Sequence, residues 1–254
     1  MKLPEPFLFE GSQRAVLLLH AYTGSTVDMR LMGRGLNHIG NYTTMGINFR
    51  GHATGKIEDV LTPTPADWMN DVQDAVATLH AQGHTKIAVF GLSLGGAVAL
   101  RALLDEPAWF VGGGNFSTPI LQDEISKTHV PEGYRDFARI NLKQRGYSES
   151  EVEEKIHQLA APLERSLSQI DALNAGIRRD IEHLAVPYFI SASEEDELVD
   201  PDVVQSLYST LQHYHIPVES HRYLHSKHAV TVGREHKQLE EDVVHFLDQL
   251  DWEE

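Results

Sequence analysis

The sequence predicts an α/β fold: a mostly parallel central sheet with helices on both faces and a small helical cap inserted late in the chain. Three observations predict it. Short apolar runs bounded by Gly, Asn or Pro alternate with longer stretches of helical spacing, as in a parallel sheet covered on both sides. A polar, helix-like segment from about 119 to 183 interrupts that alternation. The alternation then resumes and continues nearly to the end of the 254 residues.

The elements follow in order. Residues 15–20 (AVLLLH) form a buried strand, and 26–38 a helix with Met29, Met32 and Leu36 on one face. Residues 42–49 form a strand. A helix over 65–82 repeats Trp68, Val72, Ala75, Val76 and Leu79 at intervals of three and four. Residues 86–91 (KIAVFG) are a buried strand, 94–104 an apolar helix, and 110–116 a strand weakened by its glycines. Within the insertion, 148–159 and 167–177 are charged helical stretches. Strand 186–192, helix 202–213, strand 218–224 and helix 236–250 complete the chain. No repeat or flexible linker divides it, so 1–254 reads as one domain with a cap over about 119–183.

Composition narrows the function. Hydrophobic residues are 41% and charged residues 23%, an ordinary globular balance. The absence of cysteine excludes disulfides, thiolate metal sites and cysteine nucleophiles. A formal charge of −16 repels polyanions, which argues against nucleic acid and against stable membrane association. A neutral or cationic small molecule is the expected partner, and a homo-oligomer is compatible with the composition. Glu5 and Glu10 break up the N-terminal residues, and the apolar run 15–19 is too short for a signal h-region or a span. A cytoplasmic location is expected.

Gly91-Leu92-Ser93-Leu94-Gly95 matches the pattern that presents a nucleophilic serine at a sharp strand-to-helix turn. The context fits, because KIAVF precedes it and a small-residue helix follows. Such a serine is held in a strained backbone conformation, so its neighbours two residues away must be small. The helix N-terminus directs free N–H groups at the reacting centre. The backbone N–H of Leu94, the residue after the nucleophile, is one expected oxyanion donor. The loop His20-Ala21-Tyr22-Thr23-Gly24 after the first strong strand supplies the other, from Tyr22. His20 reads as a structural histidine that pins this loop.

A serine nucleophile needs a base. Among 15 histidines, chain order selects those between the last strand and the last helix, His225 and His228. His228 is favoured, being nearer the helix and followed by the small Ala229. His213, His215 and His221 lack partners at metal-ligand spacing and read as solvated. The acid is expected after 186–192, where Glu194, Glu195, Asp196, Glu197, Asp200 and Asp202 crowd together. Spacing favours Glu195 or Asp196 and does not separate them.

These residues, with AVLLLHAYTGSTVDMR, FRGHATG, DWMNDV, KIAVFGLSLGG, DELVDPD, HSKHAVT and FLDQLDW, give a chain that resembles the small carboxylesterases and monoacylglycerol-lipase-like α/β-hydrolases of Gram-positive bacteria. The resemblance spans nearly the whole chain. It implies Ser93 as nucleophile, Asp196 as acid, His228 as base, Tyr22 and Leu94 as oxyanion donors, and a helical cap between the sixth and seventh strands. It implies hydrolysis of carboxylic esters through an acyl-enzyme, with no cofactor and no metal. The size of the cap suggests short- to medium-chain acyl groups. A monoacylglycerol, a feruloyl-type ester or a thioester on the same triad is the alternative substrate class, and a ligand-binding protein that keeps the fold is the alternative outside enzymes. Two positions depart from the family pattern: Ala21 and Lys227 stand where glycine is usual.

Overall fold

The computed structural model describes residues 2–253. Its centre is a seven-stranded sheet in the order β1-β3-β2-β4-β5-β6-β7. The strands are β1 (Phe7–Phe9), β2 (Ala15–Leu19), β3 (Thr43–Gly46), β4 (Ile87–Leu92), β5 (Phe110–Phe116), β6 (Tyr188–Ser193) and β7 (Val218–Tyr223). Only β1 runs antiparallel.

The buried strands divide their side chains between two cores by the two-residue period of extended backbone. From β2, Ala15, Leu17 and Leu19 enter one core, and Val16 and Leu18 the other. From β4, Ile87 and Val89 face the first, and Ala88, Phe90 and Leu92 the second. The second core is closed by α1 (Val27–Gly40) and α8 (His236–Leu247). The first is closed by α2 (Pro65–Ala81), α3 (Leu94–Asp105) and α7 (Pro201–His213), together with helices of the cap. Helix α2 starts on a reciprocal capping box between Thr64 and Asp67, with Pro65 in its first turn, an arrangement that stabilises a helix start by about 1 kcal/mol.

The cap lies between β5 and β6, so in this sheet it follows the fifth strand rather than the sixth. It comprises α4 (Val130–Gln144), α5 (Glu149–Gln158) and α6 (Ala160–Asp180). Helix α6 starts seven residues before the stretch the periodicity marks at 167, because Leu163 and Ser166 are already buried. Helix α4 buries Pro131, Tyr134, Ala138 and Leu142, a stripe hidden in the sequence by the charges between them. The expected strand over 42–49 shortens to four residues. Beyond Gly46 the chain leaves the ladder. Asn48 instead accepts from the Thr26 N–H and donates to the Pro4 carbonyl. Strand β1 has only three residues between Pro6 and Glu10, too short to carry a period.

The strand order reverses between β2 and β4: the chain winds from β2 out to β3, then returns to β4 and continues the other way. Open α/β sheets bind ligands at such a reversal, outside the carboxyl ends of the strands. Tyr22 follows β2 and Ser93 follows β4, so both stand there. Among the described residues no helix is long and apolar enough to cross a membrane.

Candidate active site

Ser93 sits between β4 and α3 with φ 53° and ψ −116°, a sparsely populated conformation that costs of the order of 1–3 kcal/mol. Its surroundings hold it there. Its N–H donates to the Phe116 carbonyl at 2.8 Å, and its own carbonyl accepts from Gly96, Ala97 and the Thr118 hydroxyl. The glycines around it are required by close approach. A methyl at Gly91 would overlap the Gly95 backbone, one at Gly95 the Leu19 carbonyl of β2, and one at Gly96 the Thr118 side chain. The flanking helix can therefore lie against two strands at once.

His228 lies in the loop after β7. Its Nδ1 is 2.8 Å from Asp196 Oδ2 and 3.0 Å from Oδ1. The pair is enclosed, with side chains 7% and 1% exposed. Asp196 is held by the turn after β6: its Oδ1 accepts from the backbone N–H groups of Leu198 and Val199 at 2.9 and 3.0 Å. The His228 N–H donates to Glu197 Oε2 at 3.1 Å. With Nδ1 donating to the carboxylate, Nε2 is the ring nitrogen left free of that contact. The rival pair separates. Glu195 and His225 approach only to 3.8 Å, and their side chains are 56% and 60% exposed. Lys227 is exposed beside them.

One cleft of about 420 Å³ is lined by Ser93, His228 and Tyr22, with Tyr134 and Phe137 from α4 on its cap side. Tyr22 is buried, and its hydroxyl donates to the Ser166 hydroxyl of α6 at 2.7 Å. Burial pushes its phenol well above the usual range. The backbone N–H groups of Tyr22 and Leu94 donate to no group among the described residues. Leu94 is the first residue of α3, where no intrahelical acceptor exists.

The loop carrying Tyr22 is fixed from below. His20 is fully buried, its Nε2 accepts from the Phe49 N–H at 3.1 Å, and its Nδ1 lies 2.8 Å from the Ala21 carbonyl. Burial, reinforced by His52, takes its pKa down to about 3, so it remains a neutral strut, as expected of a structural histidine. His52, from the FRGHATG loop, places Nε2 2.6 Å from the Tyr22 carbonyl. Ala21 does not adopt a positive φ, so its methyl is accommodated without backbone strain.

Two residues stand beside the site in places the sequence does not single out. Asp28, in the first turn of α1, accepts from the Ser25 N–H. Burial pushes its carboxyl up to about 6, against the opposing pull of the backbone N–H groups of Ser25 and Ala21 and of His228. Glu197 was one acid among six in its loop, and only the folded turn brings it under the His228 backbone.

Residues 16–239 match the family model described as the alpha/beta hydrolase family. The chain is similar to a carboxylesterase of Bacillus subtilis (strain 168), 29% identical over 98% of both chains. It is also similar to a thermostable monoacylglycerol lipase of Bacillus sp. (strain H-257), 27% identical over 78% of this chain and 76% of that one. Among solved structures it resembles one from a study of the metagenome-derived lipolytic enzymes LipS and LipT, with a TM-score of 0.73 and 22% identity over 98% of this chain and 100% of the other. The sheet, the strained serine after β4 and the match over most of the sequence agree: the chain belongs to the alpha/beta hydrolase family.

Proposed function

We propose that the protein is a serine carboxylesterase that hydrolyses short- to medium-chain carboxylic esters. The observation that carries this reading is the convergence of Ser93, His228 and Tyr22 on one cleft, with Asp196 enclosed behind His228. Ser93 Oγ attacks the ester carbonyl carbon while its proton passes to His228 Nε2. Asp196 holds the imidazole tautomer and stabilises the imidazolium. The carbonyl oxygen becomes an oxyanion between the free N–H groups of Tyr22 and Leu94, a pair of donors of the kind that contribute about 2.7–4 kcal/mol each. Collapse breaks the C–O bond, and the alcohol leaves with the proton from His228. Water, deprotonated by the same histidine, then attacks the acyl-serine and frees the acid and Ser93.

Similarity to the Bacillus lipase favours a monoacylglycerol as the second substrate reading. A fluorophosphonate label with mass mapping tests the nucleophile, and modification at a residue other than Ser93 would overturn the mechanism. A p-nitrophenyl ester series of increasing acyl length, run beside a monoacylglycerol, tests the substrate. A flat profile or a long-chain optimum counts against the proposed range.

A further inference from the structure

Beside the cleft that holds Ser93 and His228 lies a second cavity, of about 380 Å³, which is lined by neither. The two lie end to end along the same two walls. On one wall Ala21, Tyr22 and Thr23 line the cleft, and Thr23, Gly24 and Ser25 continue into the second cavity. The other wall is α4. Val130, Tyr134, Phe137 and Asn141 follow at steps of four, three and four, which sets them on one face of the helix. Val130 and Tyr134 line the cleft, Asn141 lines the second cavity, and Phe137 lines both. Thr23 and Phe137 therefore stand at the boundary between the two.

The second cavity suits an apolar chain. Leu3, Val27, Ile57 and Val60 contribute to its lining. Its lysines, Lys2 and Lys56, are exposed, and Asp28 turns Oδ2 to the Ser25 N–H. Asn141 ties the facing loop to α4, its Oδ1 accepting from the Ile57 N–H at 3.3 Å and its Nδ2 donating to the Gly55 carbonyl at 3.2 Å. Each methylene taken out of water favours binding by about fourfold. A chain that outgrows the cleft continues that gain by entering the second cavity, and Phe137 stands in the way. Packing does not demand so large a side chain there. Helix α4 buries Pro131, Tyr134, Ala138 and Leu142, whereas Phe137 is 44% exposed. We propose that Phe137 is a specificity-determining residue that sets the upper chain length of the ester, by closing the cleft at Ser93 off from a second apolar cavity. This rests on ester hydrolysis at Ser93, and it names the side chain behind the short- to medium-chain limit.

The alkyl chain concerned belongs either to the acyl group or to the alcohol, and two series of esters distinguish them: p-nitrophenyl alkanoates and n-alkyl acetates, each with chains of four, eight and twelve carbons. The test is kcat/KM for both series, below their aggregation concentrations, on the unaltered chain and on Phe137→Ala. In the unaltered protein kcat/KM should stop rising beyond eight carbons. Phe137→Ala should raise the ratio of twelve- to eight-carbon ester by about tenfold or more, and the series that gains identifies the chain. Phe137→Leu should gain in the same direction, which keeps the test open should the alanine variant misfold. Ile140→Ala, at an exposed position of α4 that lines neither cavity, should leave the ratio unchanged. An unchanged ratio in both series for both Phe137 variants, or an equal gain in Ile140→Ala, would overturn the proposal while leaving the esterase reading intact. A uniform loss at every chain length would make Phe137 structural and overturn it likewise. An unaltered protein that already favours twelve carbons would overturn it together with the proposed chain range. A protein inert towards every ester would overturn the esterase reading, and this proposal with it.

Discussion

The elbow around Ser93 and the cap above it are held together by different means. The elbow is a backbone construction. All six residues of β4 and nine of the twelve in α3 are buried, and helix and strands touch where glycines remove every side-chain atom. The cap is a side-chain construction. It grips the core through Arg145 on Glu58 at 2.7 and 2.9 Å, Asp180 on Arg101 at 2.8 Å, and Ser166 on Tyr22. The contrast separates two tasks. Reacting atoms need positions fixed to a fraction of an ångström, which close-packed backbone provides. Pocket shape needs only side chains, which can be exchanged without disturbing the sheet.

The largest expected effect breaks the elbow chemically. Ser93→Ala should lower kcat roughly 10⁴-fold or more on any ester the protein accepts, and a near-native rate would remove Ser93 from the mechanism. His228→Ala should lose activity on a similar scale, whereas His225→Ala, on an exposed ring, should stay within a few-fold. Comparable losses in the two variants would reopen the choice of base.

Next comes geometry. Gly95→Ala forces a methyl against the Leu19 carbonyl and should destabilise by about 3 kcal/mol, read as a lower urea midpoint at unchanged slope. Asp28→Asn tests the carboxylate beside the loop that carries Tyr22. Its folded pKa of about 6 lies above the ordinary 3.8, so ionisation costs stability in the native state. That cost is absent below pH 4, grows between pH 4 and 6, and is complete above 6. The asparagine variant should therefore be more stable at pH 8 by of the order of 1–3 kcal/mol, with the gain vanishing below pH 4. A gain independent of pH would show that ionisation is not the cause. The smallest effect belongs to the cap. Gly176 lies within α6 with nothing near the place of a Cβ. Gly176→Ala should stabilise by about 0.5–1 kcal/mol and leave ester hydrolysis unchanged. Destabilisation there would mean that the cap is packed as tightly as the elbow.

Much of the core was legible because it obeys local periods. AVLLL and IAVFGL are continuously apolar because both faces are covered, and the nucleophile turn shows in five consecutive residues. The cap was legible only as an interruption, because α4 hides its stripe among charges and α5 buries only Val152 and Ile156. Among the acids, spacing stopped at Glu195 or Asp196, and resemblance pointed to Asp196. The fold gives the physical reason for their difference. Backbone donors from Leu198 and Val199 turn Asp196 inward, while its neighbour stays in solvent.

By itself, then, the sequence determined the layered architecture and the position of Ser93, because a two-residue period, a helical period and the steric demand of a tight turn act over a few residues. Only the tertiary structure decided which carboxylate meets which histidine, and that Tyr134 and Phe137 of the cap line one cleft with Ser93, His228 and Tyr22. Those facts depend on where loops from separate strands and a cap helix converge. His228 meets Asp196 across 32 residues of chain, and Tyr22 meets Ser166 across 144. No local pattern records such distances.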